Sequence, residues 1–413
     1  MMGLTATLPA LETLKPNPNW AKLPLFNRKN WSRVRFDDVV ENLNETCDPA
    51  EAGLERVIAM EHLEPGSLHI RAWGNVADGT TFTRRCRPGQ VLFGKRRAYQ
   101  RKVAVAEFDA VVSGDIYVLA PKGDRLLPEL LPFLCLSERF FQHAVGTSAG
   151  SLSPRTNWSS LASFEFDLPP LDQQRRIAEI LWAVDESCET AKALCEQVNA
   201  TRDIFFDDAL QKGINKKPKS LRKLGDALTG IVAGKSPKSS SAVAAENGYG
   251  VLKVSAVGDG EYCEVENKAL LNPEDFNADY EVRPGMILVT RCNALLSGIG
   301  RACLVAQTRP RLMLCDKTLQ LLPDPNVIER DFLLHGLRRE PYRGFVERSA
   351  NGTEAKNITQ ETLRAAPFWI PERNEQQRVL AGLNQFANAL KAATTNATRL
   401  NALRVSLINT FIA

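Results

Sequence analysis

Apolar residues recur along this chain with two different rhythms. Between Leu168 and Lys212 they fall on alternating steps of four and three: Ile177, Leu181, Val184, Cys188, Ala191, Cys195, Val198, Phe205 and Ala209, with Arg202 the one charged occupant. No Pro or Gly intervenes between Pro170 and Gly213. A seven-residue seam of this kind predicts a long helix with one apolar edge, about 60 Å long at ~1.5 Å per residue. Pro169 and Pro170 suit its first turn. A second seam runs through Val379, Leu383, Phe386, Leu390, Ala393, Ala397, Leu400, Leu407 and Phe411, with Arg404 as its charged exception. Every position lies 202 residues after its counterpart, Arg404 after Arg202 included. Matched seams with a matched interruption are an internal repeat.

Outside the seams the rhythm shortens to apolar runs of a few residues closed by turn signals, the texture of an α+β domain. This texture also repeats. SLRKLGDAL answers WSRVRFDDV, VLKVSAVGDG answers VIAMEHLEPG, PGMILVTRCN answers PGQVLFGKRR, and LCDKTLQLLP answers VSGDIYVLAP. The offset drifts from 188 to 202 through these pairs, so insertions gather in the globular parts while the seams stay in register. The pattern divides the chain into an arm (1–28), a globular domain (29–167), a helix (168–212), a basic linker (213–219), a second globular domain (220–369) and a second helix (370–413). The fold class is α+β: two similar α/β domains separated by two long helices forming a coiled coil, with pseudo-two-fold symmetry. A linker this short cannot carry the chain back along a ~60 Å helix, since extended chain spans at most ~3.5 Å per residue. Paired seams are therefore expected to run antiparallel, with the globular domains at opposite ends.

Composition adds little beyond a globular class: 44 % hydrophobic and 24 % charged over 413 residues. No apolar run approaches the ~18 residues that span a bilayer, and the N-terminus lacks the form of a secretory signal. The expectation is a cytoplasmic protein without a membrane partner. Nine cysteines without C-x-x-C spacing point to reduced thiols rather than a disulfide frame or zinc site. The net charge of +4 does not argue for nucleic acid, so local clustering must.

The densest cluster is GKRRAYQRK, in which Lys95, Arg96, Arg97, Arg101 and Lys102 flank Tyr99 and Gln100 without an acid. Arg and Gln can read purine edges bidentately, and Lys and Arg neutralise phosphates. All five cations are expected to face a nucleic acid. The matching stretch of the second domain offers Arg291, Asn293, Ser297 and Arg301; it is less basic and suits base reading more than charge attraction. Polar loops precede both helices, with Ser151, Ser153, Arg155 and Asn157 in one and Lys356, Asn357 and Thr359 in the other. Such residues suit phosphate and base contacts and equally suit helix capping. Lys235 and Ser236 lie in TGIVAGKSP, which resembles a phosphate-binding loop but leaves three residues where the motif needs four, and Pro237 follows. A Gly-rich turn near a DNA backbone is the better reading. No methyltransferase motif, metal-spaced His/Cys cluster or distinctive carboxylate pair is present, so no catalytic residue is assigned.

These residues carry a family resemblance. The duplicated plan, LPPLDQQRRI at 168–177, PERNEQQRV at 371–379 and GKSP at 234–237 resemble the specificity subunit of a type I restriction–modification enzyme, over nearly the whole chain from residue 30. The resemblance implies two target-recognition domains, each reading half of a split sequence in double-stranded DNA. It implies that the helices pair as a spacer and dock methyltransferase (modification) subunits, with a restriction/translocase subunit joining that core. No cofactor is implied in this chain; S-adenosylmethionine, ATP and Mg2+ belong to the partners. Glu372 stands where Pro170 has its counterpart, a departure from the pattern. Two other classes stay open: a scaffold that spaces two protein-interaction modules, and a catalytic nuclease or methyltransferase subunit.

Overall fold

The structure, a computed structural model, describes residues 28–150, 153–352 and 355–412. The expected arm and Ser151 lie outside the described residues, apart from Arg28 at the arm's end. Contacts divide the chain into two units: Met1–Ala193 with Ala393–Ala413, and Leu194–Ala392. The long helices are continuous, Leu171–Lys216 and Arg373–Ile412. Each unit therefore contains part of both.

In the first unit, Val40–Leu43, Ile116–Pro121, Val91–Gly94 and Val103–Val105 form an antiparallel sheet in that order. A second four-stranded sheet contains the parallel pair Arg56–Ile58 and Ala110–Val112. Phe36, Phe93, Phe133 and Phe140 fill the core together with Ile177 and Leu181 of the first helix and Ile408 and Phe411 of the second. The second unit repeats the order with Leu228–Ala233, Thr318–Pro323, Ile287–Thr290 and Ala302–Leu304. Its parallel pair is Gly250–Leu252 with Leu312–Met313. Phe206, Leu210, Phe332, Trp369, Val379 and Leu383 share its core.

The seam is where the pattern put it. Ile177, Leu181, Val379 and Leu383 are buried; Val184, Val198, Phe205, Phe386, Leu390, Leu400 and Leu407 are half-buried. Partial burial is what one neighbouring helix provides. Full burial comes where a helix also lies on a globular core, which is why Phe206 is more buried than the seam residue Phe205. Asp185 meets Arg404 in the first unit, and the rings of Phe205 and Phe386 are 5.5 Å apart in the second. Residue numbers fall on one helix as they rise on the other, so the helices run antiparallel.

The helix ends differ from the sequence reading. Each helix starts later, because Glu165–Leu168 and Pro367–Trp369 are strands paired with Ser32–Arg35 and Leu221–Lys223. The first helix also continues through Gly213 to Lys216, into the stretch expected to be linker. Gly213 is there for packing: a Cβ would overlap the indole of Trp369. Close approach, rather than chain termination, explains this glycine.

The glutamine shared by both helix starts has the same job twice. The Gln174 amide donates to the Pro169 and Arg125 carbonyls at 2.8 Å each and accepts from Leu127 N–H at 2.9 Å. Gln376 donates to Pro371 and Val327 and accepts from Glu329. Both side chains are buried and satisfied. Five residues separate the Pro carbonyl from the amide it holds, which accounts for the Pro-x-x-x-x-Gln spacing.

Candidate nucleic-acid interface

In each unit two separate stretches of sequence close on one another. In the first, Val91–Gly94 leads into Lys95–Arg97, which lies along the loop before the long helix. Thr156 N–H donates to the Lys95 carbonyl at 3.0 Å, and Arg97 N–H to the Pro154 carbonyl at 2.7 Å. Ala149 and Arg155 exchange both backbone bonds. In the second, Ile358 N–H donates to the Arg291 carbonyl at 2.9 Å, Cys292–Asn293 pairs with Lys356–Asn357, and Asn351 and Asn357 exchange both bonds. The junction is the same structure built twice, and it brings together Arg96 with Arg155 and Arg291 with Asn357.

Arg97 and Arg101 both adopt left-handed backbone, φ 54° and 56°. Non-glycine residues pay for that conformation, and such strain gathers at functional sites. The turn Ala98–Gln100 between them presents Tyr99, which is 56 % exposed, with Gln100 half-buried beside it.

Four of the five cations of this stretch have contacts within the protein that the sequence did not show. Arg96 lies 3.4 Å from Asp115 and donates to Ser153 at 3.0 Å. Arg101 pairs with Glu138 at 2.5 Å. Lys102 does not face outward; its ammonium donates to the Met60 carbonyl at 2.6 Å. Lys95 is half-buried over the Tyr117 ring; burial, helped by the nearby Arg84 charge, pushes its pKa down. Arg97 has its Nε buried without a hydrogen-bond partner among the described residues. Two acids from distant sequence, Asp115 and Glu138, fold onto the acid-free stretch and offset part of its charge.

Asp115 organises these groups. Burial alone would raise its pKa, but the hydrogen bond and charge of Arg155, with the charge of Arg96, outweigh burial and hold it below the usual carboxylate range. Arg155 lies 2.8 Å from it. Two arginines fixed through one carboxylate keep donors in set directions, as bidentate recognition of bases or phosphates requires. Asn157 is exposed, and its side chain makes no capping bond to the helix it precedes.

In the second unit, Arg291 Nε reaches Asn357 Oδ1 at 3.4 Å, and Arg301 donates to the Ser297 carbonyl at 2.9 Å. Asn293 folds back onto the Leu295 N–H, and Lys356 donates to the Gly352 carbonyl. Thr359, not Asn357, caps the following helix. Leu295 and Leu296 form an exposed apolar tip that the sequence reading passed over. Lys235 and Ser236 lie in a loop with no helix after it, and Ser236 bonds the Asp316 carboxylate, next to the Lys317 carbonyl that accepts the Arg291 N–H. Asp115 and Asp316 were visible as matched positions in the repeat, which is the signal that could have marked both as anchors. Among the described residues there is no His/Cys/Asp/Glu group able to hold a metal, and no helix long and apolar enough to cross a membrane. Among the described residues no two cysteines are joined in a disulfide.

Residues 29–200 match the model of the type I restriction modification DNA specificity domain. The match covers less than half of the chain. The type I restriction enzyme EcoEI specificity subunit of Escherichia coli is 35 % identical over 167 residues, which are 40 % of this chain and 28 % of that protein. The chain thus spans little more than a quarter of that relative. The MjaVIII specificity subunit of Methanocaldococcus jannaschii is 21 % identical over 337 residues, 78 % of this chain and 75 % of that one. A chain solved in work on complex assembly and conformational transition of the type I R-M system has the same fold. It is 20 % identical with a TM-score of 0.56, covering 93 % of this chain and 98 % of that chain. The specificity domain includes the first junction and the first half of the duplicated plan; the second half repeats it.

Proposed function

We propose that this chain is the DNA sequence-specificity subunit of a type I restriction–modification complex. Each globular domain reads one half of a bipartite target in double-stranded DNA. The two long helices act as spacer and as docking site for the methyltransferase subunits, and a restriction/translocase subunit joins them. The chain is non-catalytic and cytoplasmic, and S-adenosylmethionine, ATP and Mg2+ are used by its partners. The observation that carries this reading is the duplicated junction. A protein that reads two half-sequences needs the same presenting device twice with different side chains on it. That is how Arg96, Arg97 and Arg155 relate to Cys292, Asn293 and Asn357.

The helices give a direct test. Removing 191–197 and 393–399 deletes one heptad from each and preserves the seam. Each helix shortens by about 10 Å at ~1.5 Å per residue. At ~3.4 Å per base pair the half-sites should approach by about three base pairs. The expected result is a methylation map with both half-sequences unchanged and a shorter spacer, at lower overall activity because the helical phase of DNA also changes. Activity at the original spacing would mean that the helices do not set it. A scaffold for two protein modules predicts no DNA retention at all.

A further inference from the structure

The second unit contains a basic cleft that the linear sequence scatters over four segments. Its volume is about 490 Å³, and Lys253, Lys268, Lys317, Ser236, Ser239 and Asp316 contribute to its lining. Lys235 and Lys238 stand on the same serine-rich loop as Ser236 and Ser239. Gly234 lets that loop approach closely: a Cβ there would overlap the Leu314 carbonyl, which accepts the Lys235 N–H at 3.1 Å.

The acids at the cleft are already engaged. Glu266 is 3.5 Å from Lys253 and accepts the Ser255 hydroxyl at 2.5 Å. Asp316 accepts from Ser236. Lys235, Lys238, Lys268 and Lys317 are all exposed, and their ammonium groups form no ion pair among the described residues. The cleft is continuous with the second junction, because the Lys317 carbonyl accepts the Arg291 N–H at 3.0 Å. In the first unit Arg96 and Arg155 share the one carboxylate of Asp115, and Arg101 faces Glu138.

We infer that this lysine cleft binds the phosphates of the DNA backbone and adds to the chain's sequence-independent attraction to DNA. The inference rests on the DNA-recognition reading and adds a second source of positive charge to the one the sequence showed at 94–102. Lysine ammonium groups are point charges with rotatable donors, suited to phosphate oxygens at varied angles. Lys268 and Lys317 line the cleft without an ion pair among the described residues, and with Lys235 and Lys238 on the adjoining loop they outnumber Asp316, so they repel one another until an anion arrives. Repeated phosphates along a duplex meet that need, and each neutralised phosphate releases condensed counterions. A nucleotide-binding loop is a poor alternative, since no helix follows Gly234-Lys235-Ser236.

The test measures binding of the full-length chain to a short mixed-sequence duplex across a salt series, so no target sequence is needed. Lys268→Ala with Lys317→Ala should lower the magnitude of the slope of log K against log salt by about two, at ~0.9 per phosphate contact. Arg96→Ala with Arg101→Ala, whose charges already face Asp115 and Glu138, should lower it by less than the lysine pair does. Lys268→Glu with Lys317→Glu should deepen the loss, with unchanged circular dichroism showing that folding is intact. A lysine pair that leaves the slope at its wild-type value overturns the clamp. Failure of the wild-type chain to bind the duplex even at low salt rejects the DNA-recognition reading itself, and the clamp with it. If inorganic phosphate at low concentration displaces the duplex while sulfate at equal ionic strength does not, the cleft is a free-phosphate site and the backbone assignment falls.

Discussion

Replacing Asp185 by alanine is expected to destabilise the first unit by about 3–5 kcal/mol, the usual cost of leaving one member of a buried ion pair alone. Asp185 is fully buried on the first long helix and Arg404 is 5 % exposed on the second. They pair directly. Asp185 also meets His69 Nε2 at 3.0 Å, and His69 Nδ1 meets Glu107 at 3.1 Å. Arg404 donates to the Gly66 carbonyl at 2.6 Å and to Asn401 at 2.9 Å. The cluster ties both helices to the sheet domain of that unit, and its loss leaves the buried arginine without its carboxylate. Two linked units need not unfold in one step, so the measurement is hydrogen exchange by segment. Protection should fall in peptides around Gly66, Ala110 and Ala178 and hold in the second unit. Asp185→Leu with Arg404→Leu removes both charges and should cost less than Asp185→Ala alone. A single substitution costing under ~1 kcal/mol would mean that the pair is solvated.

The second large effect concerns Gly234→Ala. Alanine in place of glycine normally gains ~0.4–1 kcal/mol by reducing the freedom of the unfolded chain. Here the new methyl would meet the backbone of Leu314, which is fully buried and cannot rotate aside. Overpacking of this kind costs about 1–3 kcal/mol, so the clash outweighs the gain and the second unit is destabilised. DNA binding should weaken as well, because the loop carrying Lys235 and Lys238 is displaced. Gly114→Ala provides the comparison: nothing lies within 4 Å of its Cβ position, and its effect should stay within ~0.5 kcal/mol. Equal stabilities for the two variants, read from the unfolding midpoint of the unit concerned, would refute the close-approach argument.

Much of the scaffold was legible because it rests on periodicity. The seams, their common offset and the antiparallel pairing follow from a seven-residue rhythm and a short connection. The Pro-Gly turns were equally plain, and Gly89 and Gly285 both have the positive φ such turns need, 85° and 90°. Arg404 could be seen as an interruption of the seam, but its partner could not. Asp185 sits one step off the seam beside Val184, and the contact joins residues 219 positions apart. Arg202 has no such partner, since the repeat places Ala387 opposite that aspartate; it pairs instead with its neighbour Asp203.

The site was less legible for the same physical reason. Charge in a window of sequence is not charge at a surface. The stretch 94–102 has no acid in it, yet Asp115 and Glu138 reach it through the fold. The lysine cleft shows no cluster in the sequence, because Lys253, Lys268 and Lys317 come from separate segments. Gly213 reads as a helix stop, whereas the space it leaves is filled by Trp369.

The central claim is that this chain gives a methyltransferase two separate half-sequences to find. The most direct measurement is a genome-wide map of methylated adenines in cells making the chain with its methyltransferase subunit, compared with cells lacking the chain. The predicted result is one motif made of two short defined sequences divided by a non-specific spacer of constant length, present only when the chain is made. A single contiguous motif, or methylation that does not depend on the chain, would contradict it.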